Sequence, residues 1–298
     1  MRIFPRKALS IVAVAFLLLG RPTVAQQLAP DTTGKYVTVF GAKLYYTDRG
    51  TGPVVVLIHG LGDQGSVWKK SIEPLAAAHR VVALDLIGFG HSDKPLLSYQ
   101  PQTFVDFLSG FLAALHIYKT SLVGNSLGGQ VAALYAIEHP DAVEALVLVD
   151  AGGFKIPPGA ISPRMKAALR LSTREDYRFF AQFTFYDRKF LPDDAFMDYA
   201  IGERVRRGDG YTINQYIESM LRNDDVLDGR LGGISAPTLV IWGRGDRLVT
   251  RPVAERLTRE IRNSRLQVIE KCGHIPQVEC PADLNAALLQ FLPAKGAN

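Results

Sequence analysis

The sequence predicts an α/β fold, a mostly parallel eight-stranded sheet with helices on both faces and one helical insertion. Three observations carry that prediction. Short, β-branched apolar runs alternate with longer segments of helical period. The central runs are apolar without a break, as strands buried on both faces must be. The alternation stops across residues 153–233 and then resumes. With 298 residues, 47% hydrophobic and 21% charged, the chain has a globular composition and the length to bury a large core.

The elements follow in order. Residues 36–40 and 43–47 read as an opening pair of strands joined at Gly41. Residues 54–58, VVVLI, form the first continuous apolar run, and 81–84, 121–123, 145–149, 238–242 and 265–269 repeat the type. Helical patterns fall between them at 66–77, 103–115, 127–138, 252–261 and 282–291. Strands alternating with helices imply a parallel sheet covered on both faces. Residues 153–233 hold no strong strand, several helical patterns and a run of aromatics, among them Tyr177, Phe179, Phe180, Phe183, Phe185 and Tyr186. They read as a lid inserted into one core, made of residues 26–152 and 234–298. There is no internal repeat and no low-complexity segment.

The first 25 residues read as an export signal. Arg2, Arg6 and Lys7 precede residues 8–19, which are apolar except for Ser10, and Thr23-Val24-Ala25 offers a small-residue cleavage site before Gln26. The apolar run is shorter than the roughly 20 residues a spanning helix needs, and the alternative is an uncleaved N-terminal anchor. The predicted location is the periplasm or the exterior. Arg2, Arg6, Lys7 and Arg21 carry most of the net charge of +5, leaving about +1 without them. A nearly neutral domain gives no electrostatic reason to bind nucleic acid. Cys272 and Cys280 form either a disulfide or two separate buried thiols, since sequence does not give their separation. They lack the spacing and partners of a zinc site.

The chemistry lies at the ends of predicted strands. Gly124-Asn125-Ser126-Leu127-Gly128-Gly129 follows a strand and opens a helix, the context in which Gly-x-Ser-x-Gly presents a nucleophile. Glycine is needed because side chains around so sharp a turn would clash. The helix that follows aims free N–H groups at the site. A serine hydroxyl needs a base, and His274 follows the last strand. Parallel strands bring such loops to one edge of the sheet. Asp246 follows the preceding strand and reaches the same edge, where an acid holds the imidazole tautomer. Asp150, after an earlier strand, is the competing acid. His59-Gly60-Leu61-Gly62 follows residues 54–58, and the N–H groups of Leu61 and Leu127 are the candidate oxyanion donors. His59, Asp85 and His91 read as residues that shape loops.

In this company the chain resembles the α/β-hydrolase superfamily. The segments HGLG, DLIGFGHSDKP, GNSLGG, PTLVIWGRGD and CGHIPQVECP occur in the expected order over nearly all of the chain beyond the export signal. The resemblance implies the α/β-hydrolase fold, a Ser126, Asp246, His274 triad and a helical lid after the sixth strand. It implies no metal and no organic cofactor. Serine at the elbow separates the chain from haloalkane dehalogenases and epoxide hydrolases, which use aspartate there. GNSLGG and the CGH…E pattern resemble meta-cleavage product hydrolases. That group usually has a Ser-Gly-rich turn after the first His-Gly and a Trp after the histidine, where this chain has HGLGDQ and Ile275.

The leading expectation is therefore an exported serine hydrolase of small apolar carboxylic esters. The alternatives are a carbon–carbon hydrolase of the meta-cleavage type, for which Arg188 would bind a carboxylate, a lyase or cofactor-free haloperoxidase-like activity on the same triad, and a non-catalytic binding member of the fold.

Overall fold

The structure, a computed structural model, describes residues 34–294. Two strands open it, β1 (Lys35–Val39) and β2 (Ala42–Arg49), paired antiparallel with Val39 opposite Ala42. Phe40 and Gly41 make the turn, both with positive φ, the geometry that suits the twist of a two-residue hairpin.

Six strands then run parallel: β3 (Val54–Ile58), β4 (Arg80–Leu84), β5 (Thr120–Asn125), β6 (Val143–Val149), β7 (Thr238–Gly243) and β8 (Ser264–Ile269). The order across the sheet is β1-β2-β4-β3-β5-β6-β7-β8, with β2 antiparallel to β4. The connecting helices are α1 (Lys69–Ala76), α2 (Pro101–Ala114) and α3 (Leu127–Glu138). Between β6 and β7 come α4 (Pro163–Ala168), α5 (Arg174–Thr184), α6 (Asp194–Arg207) and α7 (Gly210–Arg222). The chain closes with α8 (Arg251–Glu260), the single turn α9 (Pro276–Glu279) and α10 (Pro281–Phe291).

Alternation along β3 explains why that run has no polar residue. Val56 and Ile58 join one core with Phe104, Leu108 and Phe111 of α2, Val131 of α3 and Leu257 of α8. Val55 and Leu57 face the other way and join Ile72 and Leu75 of α1 with Leu284 and Leu288 of α10. Successive side chains point to opposite faces, and both faces are covered.

Two helix starts differ from the sequence expectation. The helix expected from residue 66 opens with a 3-10 turn, Gly65–Trp68, before α1 begins. Asp85 Oδ1 accepts the Gly65 N–H at 2.6 Å, and Trp68 is fully buried, so the tighter turn is held by tertiary contacts. The helix expected from 103 begins at Pro101, whose missing N–H is no loss in a first helical turn.

No helix among the described residues is long and apolar enough to cross a membrane. The expected export signal, residues 1–25, lies outside the described residues.

Candidate active site

Strand β5 ends at Asn125 and α3 starts at Leu127, so Ser126 alone makes the turn. Its φ of 55° and ψ of −115° are backbone angles that residues with side chains rarely adopt. Hydrogen bonds hold it there. The Ser126 carbonyl accepts from the N–H groups of Gly129, Gln130 and Gly152 at 3.0–3.1 Å, and its own N–H donates to Val149 at 3.1 Å. The glycines remove the obstacles. A side chain on Gly128 would strike the carbonyls of Ile58 and His59, and one on Gly124 would strike the backbone of Gly128. The first N–H groups of a helix have no acceptor within it, and that of Leu127 stands next to Ser126.

The turn after β3 passes on the other side. A Cβ on Gly60 would lie 3.3 Å from the Ser126 Cβ, so the segment that carries Leu61 runs directly beside Ser126. His59 anchors this turn. Its Nδ1 lies 2.7 Å from the Gly60 carbonyl and its Nε2 lies 3.0 Å from the Leu86 N–H, which requires the proton on Nδ1. Both ring nitrogens are occupied and the side chain is buried, so His59 is structural. Asp85 accepts the N–H groups of Gly65 and His91 at 2.6 and 2.8 Å, with the His91 Nδ1 3.2 Å away. That pair shapes the loop after β4.

His274 and Asp246 meet. The His274 Nδ1 lies 2.7 Å from Asp246 Oδ2, and both residues are buried. The other carboxylate oxygen, Oδ1, accepts the N–H groups of Leu248 and Val249 at 2.8 and 3.0 Å. A carboxylate only accepts, so the imidazole carries its proton on Nδ1 and leaves Nε2 with a free lone pair. Of the two acids the sequence offers, Asp246 is the one on the imidazole. Asp150, wholly buried, instead accepts the Gly243 N–H at 2.9 Å.

The backbone of His274 is fixed from two directions. Its carbonyl accepts from the Asn125 side chain at 3.0 Å, which ties it to the residue before Ser126. Gln277 in turn donates to Asn125 at 3.0 Å. The His274 N–H donates to the Thr184 carbonyl, at the end of α5, at 2.7 Å. Cys272 and Cys280 are joined in a disulfide with Cα atoms 6.1 Å apart, closing a short loop around His274. That resolves the open alternative for the two cysteines.

Four residues without a sequence-assigned role complete the surroundings. Asn125 and Gln277 make the link just described. Glu279 Oε2 accepts the Gly273 N–H at 2.7 Å and Oε1 the Asp187 N–H at 2.6 Å, tying the histidine loop to the insertion. It lies within the CGHIPQVECP segment, but an acid there has no sequence mark of its function. From α6, Arg204 donates to the Gly62 carbonyl at 3.3 Å and faces Asp209 at 3.3 Å. Arg188, the arginine considered for a carboxylate, is exposed in a single 3-10 turn.

Among the described residues two groups have the residue types of a metal site, Asp150–Asp246–His274 and Cys272–Glu279–Cys280. In the first, Asp246 and His274 are bonded to each other, and in the second both sulfurs are in the disulfide.

Known proteins are similar along nearly the whole chain. A relative from Paraburkholderia xenovorans (strain LB400), a 2-hydroxy-6-oxononadienedioate/2-hydroxy-6-oxononatrienedioate hydrolase, is 32% identical over 266 residues, 84% of this chain and 90% of the relative. The meta-cleavage product hydrolase of Pseudomonas fluorescens IP01 has a similar structure, with a TM-score of 0.75, 28% identity and coverage of 87% of this chain and 97% of that one. A membrane phospholipase A described as a bacterial virulence factor gives a TM-score of 0.78 at 31% identity, covering 87% of this chain and 84% of that one. The model of the alpha/beta hydrolase family matches residues 55–287, which include both turns beside Ser126 and the paired Asp246 and His274. With its six parallel strands, a serine elbow after β5 and a bonded His–Asp pair, the chain is a hydrolase of the alpha/beta hydrolase family.

Proposed function

We propose that this hydrolase works through Ser126 as nucleophile, His274 as base and Asp246 as the acid that orients it. The single observation behind the reading is the buried 2.7 Å contact between His274 and Asp246, tied through Asn125 to the strained turn at Ser126. In this reading Ser126 Oγ attacks a carbonyl carbon as His274 Nε2 takes its proton, and Asp246 stabilises the imidazolium. The carbonyl oxygen becomes an oxyanion between the Leu61 and Leu127 N–H groups. Losing one such donor typically costs about 3–4 kcal/mol of transition-state stabilisation. Collapse expels a leaving group that receives the proton from His274, and water then releases the acyl group by the same route.

For the substrate, the relatives favour carbon–carbon cleavage over the ester reading that the sequence puts first. Hydrolases of 2-hydroxy-6-oxononadienedioate are 30–32% identical along most of the chain. In the keto tautomer of such an acid, formed when the dienol takes a proton on the carbon beside the 6-ketone, the leaving carbanion is delocalised onto the 2-ketone, so the same attack and proton return cleave a carbon–carbon bond. Ester hydrolysis is the second reading, and the similar membrane phospholipase A supports it. We further read residues 153–233 as a lid over the site and residues 1–25 as an export signal. The disulfide supports an oxidising location.

Turnover of 2-hydroxy-6-oxononadienedioate beside a series of p-nitrophenyl esters, in the wild type and Ser126→Ala, tests the proposal. Ser126→Ala is expected to lower kcat by about 10⁴-fold or more on the preferred substrate. An unchanged rate would remove Ser126 from the mechanism. A higher kcat/KM for the dienoate than for any ester establishes carbon–carbon cleavage, and the reverse order establishes the esterase.

A further inference from the structure

Asp150 sits in the site without a part in the steps above. It follows β6 with a φ of 45° and is wholly buried. Its N–H donates to the Ile241 carbonyl at 3.0 Å, and its Oδ1 accepts the Gly243 N–H at 2.9 Å. The second oxygen, Oδ2, is buried without a hydrogen-bond partner. An oxygen of Asp150, an oxygen of Asp246 and a ring nitrogen of His274 lie within 4.8 Å of one another.

Two carboxylates with oxygens within 4.8 Å of each other and away from water do not both stay ionised. The donors decide which one holds the proton. Asp246 already accepts from Leu248, Val249 and His274, whereas Asp150 accepts from Gly243 alone. Burial, and then the facing charges of Asp246 and Glu279, push the Asp150 carboxyl well above the ordinary range, against the lowering by the Gly243 N–H. His274 is the remaining titratable group at this point.

We propose that Asp150 is a positioning residue, a neutral carboxylic acid whose Oδ2–H donates to Asp246 and holds that carboxylate against His274. The inference rests on the triad reading above. It supplies the partner that Oδ2 lacks. It also leaves the acid pair with one negative charge, matching the single positive charge of the imidazolium formed during turnover. Asparagine reproduces this state, since its carbonyl accepts from Gly243 and its amide donates to Asp246.

The test pairs infrared spectroscopy with kinetics on the full chain. Wild type is expected to show the C=O band of a protonated, buried carboxyl at neutral pH. Asp150→Asn should lose the band, and Ser126→Ala should keep it. Asp150→Asn should retain kcat/KM within a few-fold, with an unmoved acidic limb of the pH profile. Asp150→Leu should lower kcat about tenfold or more with KM little changed, the size of one hydrogen bond to a charged group. Absence of the band in wild type would overturn the proposal. So would an acidic limb that moves to lower pH in Asp150→Asn, since that shift reports the loss of a negative charge near His274. An active Ser126→Ala protein with the band present would instead overturn the triad reading and leave the shared proton standing.

Discussion

Helix α3 buries ten of its twelve residues, whereas α6 buries Met197 alone among fourteen. The first is apolar all round and lies between the sheet and its neighbours, as a core helix must. The second is held at the surface by charge. Asp194 pairs with Arg178 at α5, Asp198 with Arg174, and Glu203 with Arg207 one turn along α6. Ser126 is thus set at the head of a helix that cannot shift without opening the core. The insertion rests on exposed or half-buried ion pairs, which contribute little individually, and on a few polar links to the site. Arg204 reaches the Gly62 carbonyl, and Thr184 and Glu279 hold the histidine loop. Site geometry is fixed by sterics on one side and by a handful of polar contacts on the other.

The comparison breaks most visibly at Gly128. Gly128→Ala would drive a methyl group into the backbone carbonyls of Ile58, at the end of β3, and His59, in the anchored turn after it, which cannot swing away as a side chain could. The expected loss is more than about 3 kcal/mol, the upper end for overpacking, measured by urea unfolding. The corresponding change in the insertion has the opposite sign. A Cβ on Gly202 of α6 would meet only the end of Arg206, at 3.6 Å. Gly202→Ala should therefore gain roughly 0.5–1 kcal/mol.

Between those extremes lie the polar links. Arg204→Ala leaves Asp209 buried without its partner, at a cost of about 3 kcal/mol, the low end for a broken buried pair. Burial raises the Asp209 carboxyl, while Arg204, Arg207 and Lys94 pull it down. Removing Arg204 raises it further. A carboxyl raised in the folded state loses stability as pH rises from its unfolded to its folded value. The deficit of Arg204→Ala should therefore be full above that range and shrink as pH falls, in unfolding curves taken across the range.

Replacing both cysteines by serine comes next. Opening so short a loop should cost about 2–3 kcal/mol. It should also lower kcat more than it raises KM, because the loop carries His274, the proposed base. An equal loss in Gly128→Ala and Gly202→Ala would remove the distinction between the two helices.

Much of the site is legible in the sequence because each part is local. The glycines around Ser126 announce a turn that only glycine neighbours allow. Asp246 and His274 follow β-branched runs, and parallel strands bring such positions to one edge. The loop roles of His59, Asp85 and His91 follow from the turns in which they lie. Arg204 is not legible, because it looks like any other arginine of a charged helix until Gly62, 142 positions earlier, lies beside it. Glu279 is inside a recognised segment, yet its partners Asp187 and Gly273 lie on different loops. The 3-10 turn before α1 is set by Asp85, twenty residues on, and local periodicity carries no record of that bond.

By itself, then, the sequence determined the strand and helix alternation, the elbow and the candidate acids and base, because hydrophobic period and glycine sterics act over a few residues. The tertiary structure decided the pairing of Cys272 with Cys280, the contact of Asp246 with His274 and the seating of α6 on the turn after β3. Each of these depends on a distance between groups far apart along the chain, and only the packing of the sheet and its helices sets such distances.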